Sequence, residues 1–481
     1  MNPETERKSL PLQGTAPDEL IRQMQKMHDQ DIAWKKGKTW SLVYFANEEH
    51  DQLIKDAYSE YFSENYLNPF AFKSLQQMEQ EVVHMTASMV HGNEHVVGTM
   101  SSGGTESVLL AMYAYREWAR QHHAHIQHPE VVAPQTIHPA FDKAAHLFGL
   151  HLRKGPVDDD RKAVPVEMER LINKNTILIV ASAPSYPNGI LDPIVDLSAI
   201  AEKHHLPFHV DACIGGFMLP WLERLNPGFP LWDFRVPGVT SISADVHKFG
   251  FGPKGASVIL YRDMNYLKHQ FMITTDYPGG IYVSPTLQGT RPGGAIAASW
   301  AAMKHLGESG YMDLARKLMA GGHRLRELLL TIPEIRIIGD PVMNIISYST
   351  KHDQPDIFVV GDYLESLGWL VDRQQFPDCI HLTIMPTNVD VIDSYIIDLK
   401  KAIEYAKEHP RAAGEGNAAL YGLMARIPFR GMVEKNARKI FENMYGGEIE
   451  EQANTTGETK LVESPRWMGW LSRFLAFWKR M

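Results

Sequence analysis

Ser243-Ala244-Asp245-Val246-His247-Lys248 closes a short β-prone run with a lysine, and the glycine-rich Phe249-Gly250-Phe251-Gly252-Pro253-Lys254-Gly255 follows it. A lysine at the C-terminal end of a buried strand is expensive to desolvate, so it needs a partner or a task. Upstream, His209-Val210-Asp211-Ala212 ends another such run with an acid. Two chemistries suit the lysine: a salt bridge with Asp211, or a Schiff base with an aldehyde cofactor.

Outward from these motifs, residues 95–100, 131–134, 176–181, 207–210, 241–244 and 256–261 are short apolar or β-branched runs separated by helical spacing. That alternation predicts an α/β domain with a largely parallel sheet covered on both faces. Helices are expected over residues 19–28, 49–63, 75–90 and 108–121, with a loop at 37–45 running into a β-prone stretch. Further helices are expected at 293–307 and 312–330. After them the pattern changes: strands at 335–338, 342–348, 368–372 and 379–384 alternate with helices at 356–366 and 389–407, as in a small α+β domain. The chain divides on this reading into an N-terminal arm (1–60), a large domain (61–315), a small C-terminal domain (316–410), a helical extension (411–446), an acidic linker (447–463) and a C-terminal helix (464–481).

Ser102-Gly103-Gly104-Thr105 lies where the strand at 95–100 hands over to a helix. Glycines there let backbone N–H groups approach an anion at the positive end of the helix dipole, although a glycine pair also serves a simple tight turn. Pyridoxal 5′-phosphate unites all three elements. The glycine turn takes the phosphate, Lys248 forms the Schiff base, and Asp211 protects the proton on the pyridine nitrogen.

Composition narrows the remaining classes. The 481 residues are 44% hydrophobic and 22% charged, with a formal net charge of −9. This is a folded globular composition of two or three domains, with no global positive field for nucleic acid or anionic lipid. The two cysteines, Cys213 and Cys379, build no disulfide framework and fit a reducing compartment, with Cys213 read as a small buried thiol. No signal peptide and no membrane-spanning helix is expected, so the expected location is cytoplasmic. His122, His123, His125 and His128 follow a helix in a polar stretch without a carboxylate or cysteine set, and are read as solvated surface rather than a metal site.

Four motifs carry a resemblance: Ser-Ala-Asp-Val-His-Lys (243–248), Val-Asp-Ala-Cys-Ile-Gly-Gly-Phe (210–217), Ser-Gly-Gly-Thr-Glu-Ser (102–107) and the segment from Gly279 to Gly294. Together they closely resemble the sphingosine-1-phosphate lyases, fold type I pyridoxal-phosphate enzymes related to the group II amino-acid decarboxylases. The resemblance spans about residues 34–445. It implies a large domain with a mostly parallel seven-stranded sheet, a small α+β domain, and a homodimer with active sites shared between subunits. It further implies carbon–carbon cleavage of a phosphorylated long-chain base, with amino-acid decarboxylation as the rival chemistry.

By the same resemblance Lys248 is the Schiff-base lysine, Asp211 the pyridinium partner and His138 the residue stacked on the cofactor ring. Gly104 and Thr105 form the phosphate turn, His247 joins the cofactor-binding set, and Thr290 reaches the cofactor phosphate from the other subunit. Tyr44 and Tyr186 stand near the reacting bond. Asn65, Asn68, Lys254 and Tyr44 bind the substrate phosphate, Asn68 standing where the family has a histidine. Read without the family, Tyr44 and Tyr186 are core aromatics and Lys254 a solvated loop lysine.

The segment 464–481 has its own pattern. Trp467, Met468, Trp470, Leu471, Phe474, Leu475, Phe477, Trp478 and Met481 share one half of the helical wheel, opposite Arg473, Lys479 and Arg480. Such a face either lies in a membrane interface, placing the protein peripherally at an inner membrane surface, or packs on the protein's own dimer.

Overall fold

The computed structural model describes residues 10–410, 412, 418, 421–422 and 430–446. Its centre is a seven-stranded sheet made of β1 (Val97–Ser101), β2 (Glu130–Pro134), β3 (His151–Gly155), β4 (Thr176–Ser182), β5 (Phe208–Asp211), β6 (Val239–Ala244) and β7 (Ser257–Tyr261), in the order β1-β7-β6-β5-β4-β2-β3. Every pairing is parallel except those of β7 with β1 and β6. All residues of β4, β6 and β7 are buried, which is why none of them is charged and apolar or small residues fill them.

Helices cover both faces. After α1 (Pro17–His28), which buries no residue, they are α2 (Glu48–Glu60), α3 (Lys73–Met89), α4 (Gly104–His122), α5 (Ala140–Phe148), α6 (Pro165–Leu171), α7 (Ile194–Lys203), α8 (Leu219–Leu225), α9 (Met264–Leu267) and α10 (Gly293–Leu330). Strand alternation divides the core between the two faces. Val131 and Ala133 pack with α4 and α5, while Val132 between them packs with α7 and α8.

Several features differ from the sequence reading. β3 was not expected: it is a polar strand at the sheet edge, only Gly155 of it buried, so no apolar run announces it. The stretch at 37–45 makes a single bridge, Thr39 to Leu370, and buries Trp40 in the C-terminal core instead of forming a strand. The helices expected at 293–307 and 312–330 are one element, α10, interrupted at Gly307 with φ 54° and ψ −174°, where glycine tolerates a conformation that side chains rarely adopt. The strand expected at 368–372 begins at Asp372, because Trp369 and Val371 turn into the core rather than the ladder.

A two-stranded ribbon, β8 (Met272–Thr274) with β9 (Tyr282–Ser284), precedes α10. Beyond α10 an antiparallel sheet of β10 (Ile335–Ile337), β11 (Ile345–Thr350), β12 (Asp372–Gln374) and β13 (Cys379–Thr383) runs in the order β10-β11-β13-β12. It packs with α11 (Ile357–Ser366) and α12 (Ile392–Glu408). A further helix spans Arg430–Gly446. The linker at 447–463 and the amphipathic segment at 464–481 lie outside the described residues. Among the described residues no helix is long and apolar enough to cross a membrane.

Candidate active site

β4, β5 and β6 run in parallel and end together, Ser182 beside Asp211 and Asp211 beside Ser243. The carboxyl ends of parallel strands are where α/β sheets open a crevice for ligands. Asp211 closes β5 and is buried; its Oδ1 accepts from the Cys213 N–H at 3.0 Å and the Ser243 hydroxyl at 3.3 Å. Both bonds fall on Oδ1, and Oδ2 has none among the described residues.

Lys248 sits in the turn after β6 with its side chain 22% exposed. Its Nζ lies 2.9 Å from Oδ2 of Asp245, which is 1% exposed. The salt-bridge partner of Lys248 is therefore Asp245 and not Asp211, since the turn folds the lysine back over the residue three positions earlier. Burial alone would lower the Lys248 pKa, but the Asp245 carboxylate outweighs it and holds the ammonium well above its ordinary value. Burial pushes the other way on Asp245, yet Lys248 and His247 bring its pKa below the usual carboxylate range. At this separation the Lys248 ammonium both balances the Asp245 charge and donates toward its carboxylate.

Gly103 has φ 142°, outside the range of ordinary side chains, and turns the chain from β1 into α4. No side chain caps this helix, so its first N–H groups stand at its positive end. A Cβ on Gly104 would lie 2.6 Å from Asp245 Oδ2, so only glycine lets the turn close over the acid. A Cβ on Gly103 would lie 3.7 Å from the His247 ring, whose Nδ1 is 2.8 Å from the Ala256 carbonyl; burial lowers the His247 pKa. Thr105 and His138 are both exposed, and His138 Nδ1 accepts from the Ala140 N–H at 3.1 Å. An uncapped helix end, an acid with one oxygen to spare, a lysine paired with a buried acid beside them and an exposed imidazole fit pyridoxal phosphate.

The two tyrosines and the second lysine stand close by. Tyr44 packs edge-on to Phe249 at 5.2 Å, and burial raises its pKa to about 12 against the lowering effect of Lys248. Lys254 Nζ donates to the Leu42 carbonyl at 3.1 Å and lies 5.0 Å from the Tyr44 ring centroid. Desolvation, with Lys248 adding repulsion, lowers the Lys254 pKa to about 8. Two ammonium groups that repel one another suit an anion. The Tyr186 hydroxyl donates to Asp372 Oδ2 at 3.1 Å, and burial, then the Asp372 charge, raises its pKa well above the ordinary value.

Asn65 and Thr290 form a separate pair, with Asn68 three residues after Asn65. Asn65 Nδ2 donates to Thr290 Oγ1 at 3.3 Å, and Asn68 Oδ1 accepts from the Phe70 N–H at 3.0 Å. Among the described residues no hydrogen bond or ion pair joins these three to Lys248. Their loop is tied to the core by Arg291, which pairs with Glu79 and donates to the Met100 carbonyl at 3.0 Å; both partners are buried. Glu106 clamps the same loop to the glycine turn, accepting from Ser102 N–H at 2.7 Å and Leu287 N–H at 2.9 Å. Removing Glu79 leaves a guanidinium buried and unpaired, so Glu79→Ala is expected to lower stability by about 3–5 kcal/mol. The check is the midpoint of denaturant unfolding.

Sequence reasoning gave no role to Asp245, Glu106, the Glu79–Arg291 pair, Asp372 or His381. Only Asp245 carried a signal, an acid three residues before the lysine. Elsewhere, His91, Glu223 and Asp233 come within metal-ligand reach of one another, but the Arg235 guanidinium already satisfies both acids, at 2.6 Å from Glu223 and 2.8 Å from Asp233. His122 of the histidine run bonds the Trp118 carbonyl at 2.8 Å.

The sequence matches the pyridoxal-dependent decarboxylase conserved domain over residues 8–351. Sphingosine-1-phosphate lyase 1 of Rattus norvegicus is 37% identical over 452 residues, covering 93% of this chain and 78% of that protein. Sphingosine-1-phosphate lyase of Arabidopsis thaliana is 40% identical over 444 residues, covering 91% and 81%. Among solved structures, the sphingosine-1-phosphate lyase of Burkholderia pseudomallei superposes with a TM-score of 0.80 at 37% identity, covering 85% of this chain and 95% of that one. A glutamate decarboxylase of Lactobacillus brevis superposes with a TM-score of 0.73 at 21% identity, covering 84% and 95%, a likeness of fold. The match in sequence and in fold, with a lysine and an acid at adjoining strand ends, places the chain in the sphingosine-1-phosphate lyase family of fold type I pyridoxal-phosphate enzymes.

Proposed function

We propose that this protein cleaves the C2–C3 bond of sphingosine 1-phosphate, releasing a long-chain aldehyde and phosphoethanolamine. The observation that carries this reading is 36–40% identity to sphingosine-1-phosphate lyases across about nine-tenths of the chain. Bound pyridoxal phosphate supplies an aldehyde that condenses with an amine and a protonated pyridine that takes up the electron pair released at C2. Lys248 would hold that aldehyde, and the free Oδ2 of Asp211 would hold the pyridine proton. The uncapped start of α4 at Gly104 and Thr105, with His247, would hold the cofactor phosphate, and His138 would lie against the cofactor.

On the substrate side, Lys254 and Tyr44 lie at the phosphate and Tyr186 at the C3 hydroxyl. Asn65, Asn68 and Thr290 serve the site of a second subunit in a homodimer. Supporting that assembly, the β8–β9 segment before Thr290 exposes Ile273, Tyr277, Ile281 and Val283. The test is dependence on the phosphate: sphingosine without it is expected to lose about 100-fold in kcat/KM, because the Lys254 ammonium is left with no anion to pair with. Equal turnover of the two compounds would contradict the reading.

Asn68 offers a sharper probe. Its amide can donate a hydrogen bond but carries no charge. Asn68→His adds an imidazolium at mildly acidic pH, and a charge-assisted bond of about 1.5 kcal/mol corresponds to about a tenfold lower KM. The fall is expected at pH about 6 and not at about 8.5, where the imidazole is neutral. A KM unchanged at both would place residue 68 away from the phosphate.

A further inference from the structure

Asp372 has no part in the scheme above, yet several elements converge on it. Tyr186, in the loop after β4, donates to Oδ2 at 3.1 Å, and Ser41, three residues before Tyr44, donates to Oδ1 at 3.1 Å. Asp372 pairs with His381 in the β12–β13 register, and the His381 ring lies 4.6 Å from that of Tyr186 between centroids. His381 Nδ1 is 3.0 Å from the Pro187 carbonyl and Nε2 is 2.9 Å from Thr383 Oγ1. A carbonyl only accepts, so Nδ1 carries the hydrogen and Nε2 accepts from the threonine. Burial keeps the His381 pKa low, so the ring is a neutral platform with both nitrogens engaged. Lys248 and Tyr44 complete the titratable groups around Tyr186.

We infer that Asp372 is a positioning residue that receives, through Tyr186, the proton lost from the substrate C3 hydroxyl. The inference rests on the lyase reading. The hydrogen bond commits the Tyr186 hydrogen to Asp372, which leaves the phenol oxygen's lone pairs for the substrate. As the C3 O–H bond breaks, its proton passes to Tyr186 Oη and the hydrogen already there passes to Asp372 Oδ2. The C3–O bond becomes a carbonyl while C2–C3 breaks, its electron pair leaving with C2. Asp372 ends with one added proton, which returns to water as C2 takes one up to complete phosphoethanolamine, so the cleavage is proton-neutral overall and no oxidant or reductant is needed. Tyr186 alone is a poor base: its raised pKa keeps it protonated near neutrality, so it must pass a hydrogen on in order to accept one.

Asp372→Asn keeps an acceptor for Tyr186 but cannot take a proton. In the holoenzyme with sphingosine 1-phosphate, kcat is expected to fall about 100-fold with KM within about threefold. Tyr186→Phe is expected to fall by a similar factor, and the double variant no further than the worse single one, because both lie on one path. An ultraviolet difference titration, each protein against its Tyr186→Phe counterpart, gives a readout free of turnover. Without the carboxylate beside it, Tyr186 should ionise at lower pH in Asp372→Asn. The relay is overturned if either single variant keeps kcat within threefold, if the two losses multiply, or if the phenol titration does not move. Wild-type protein that makes no aldehyde overturns the lyase reading itself, a failure distinct from a wild type that turns over and an Asp372→Asn variant that matches it.

Discussion

Lys248→Ala eliminates turnover and the borohydride-reducible bond between protein and cofactor, because alanine has no amine to condense with the cofactor aldehyde. The structure adds a second consequence. Asp245 is buried with Lys248 as its ion-pair partner, so the alanine variant strands a carboxylate in the core. Loss of one member of such a pair costs about 3–5 kcal/mol, offset in part if Asp245 takes up a proton. The Lys248→Ala/Asp245→Asn double variant removes the stranded charge and should regain stability while remaining inactive. Unfolding midpoints and cofactor absorbance separate the two effects. A reducible cofactor bond that survives in Lys248→Ala would assign the chemistry to another lysine.

Asp211→Asn is expected to keep the cofactor but to lower kcat about 10³-fold. The carboxylate favours a protonated pyridine by its charge, and an amide of the same shape does not. The Oδ1 position, which accepts from Cys213 and Ser243, can be occupied by the amide oxygen, so the local fold survives. Cofactor affinity within tenfold of wild type alongside the collapse of kcat would match this account. Near-normal kcat would remove Asp211 from the electron-accepting role.

Much of the fold was legible because burial writes itself into sequence. β4, β6 and β7 are wholly buried and therefore wholly apolar or small, and their ends were placed within a residue or two. β3 escaped because an edge strand needs no apolar face. Within the site, Lys248 and Asp211 stood out as charges at the ends of apolar runs, where desolvation demands a reason. The pairing of Lys248 could not be read, since Asp211 and Asp245 are equally plausible partners until the turn after β6 is seen. Asp372 and His381 were invisible for another reason. They lie in separate short strands, and only the β12–β13 register sets them side by side against a tyrosine almost 200 positions earlier. Asn65 and Thr290 are bonded to each other, and neither they nor Asn68 has a bond to Lys248 among the described residues.

The reaction is defined by the bond that is broken. Holoenzyme supplied with sphingosine 1-phosphate should yield long-chain aldehyde and phosphoethanolamine in equal amounts, measured by mass spectrometry, with no carbon dioxide released from glutamate or aromatic amino acids assayed in parallel. Carbon dioxide from an amino acid, together with no aldehyde from the phosphorylated base, would contradict the account and make this chain a decarboxylase.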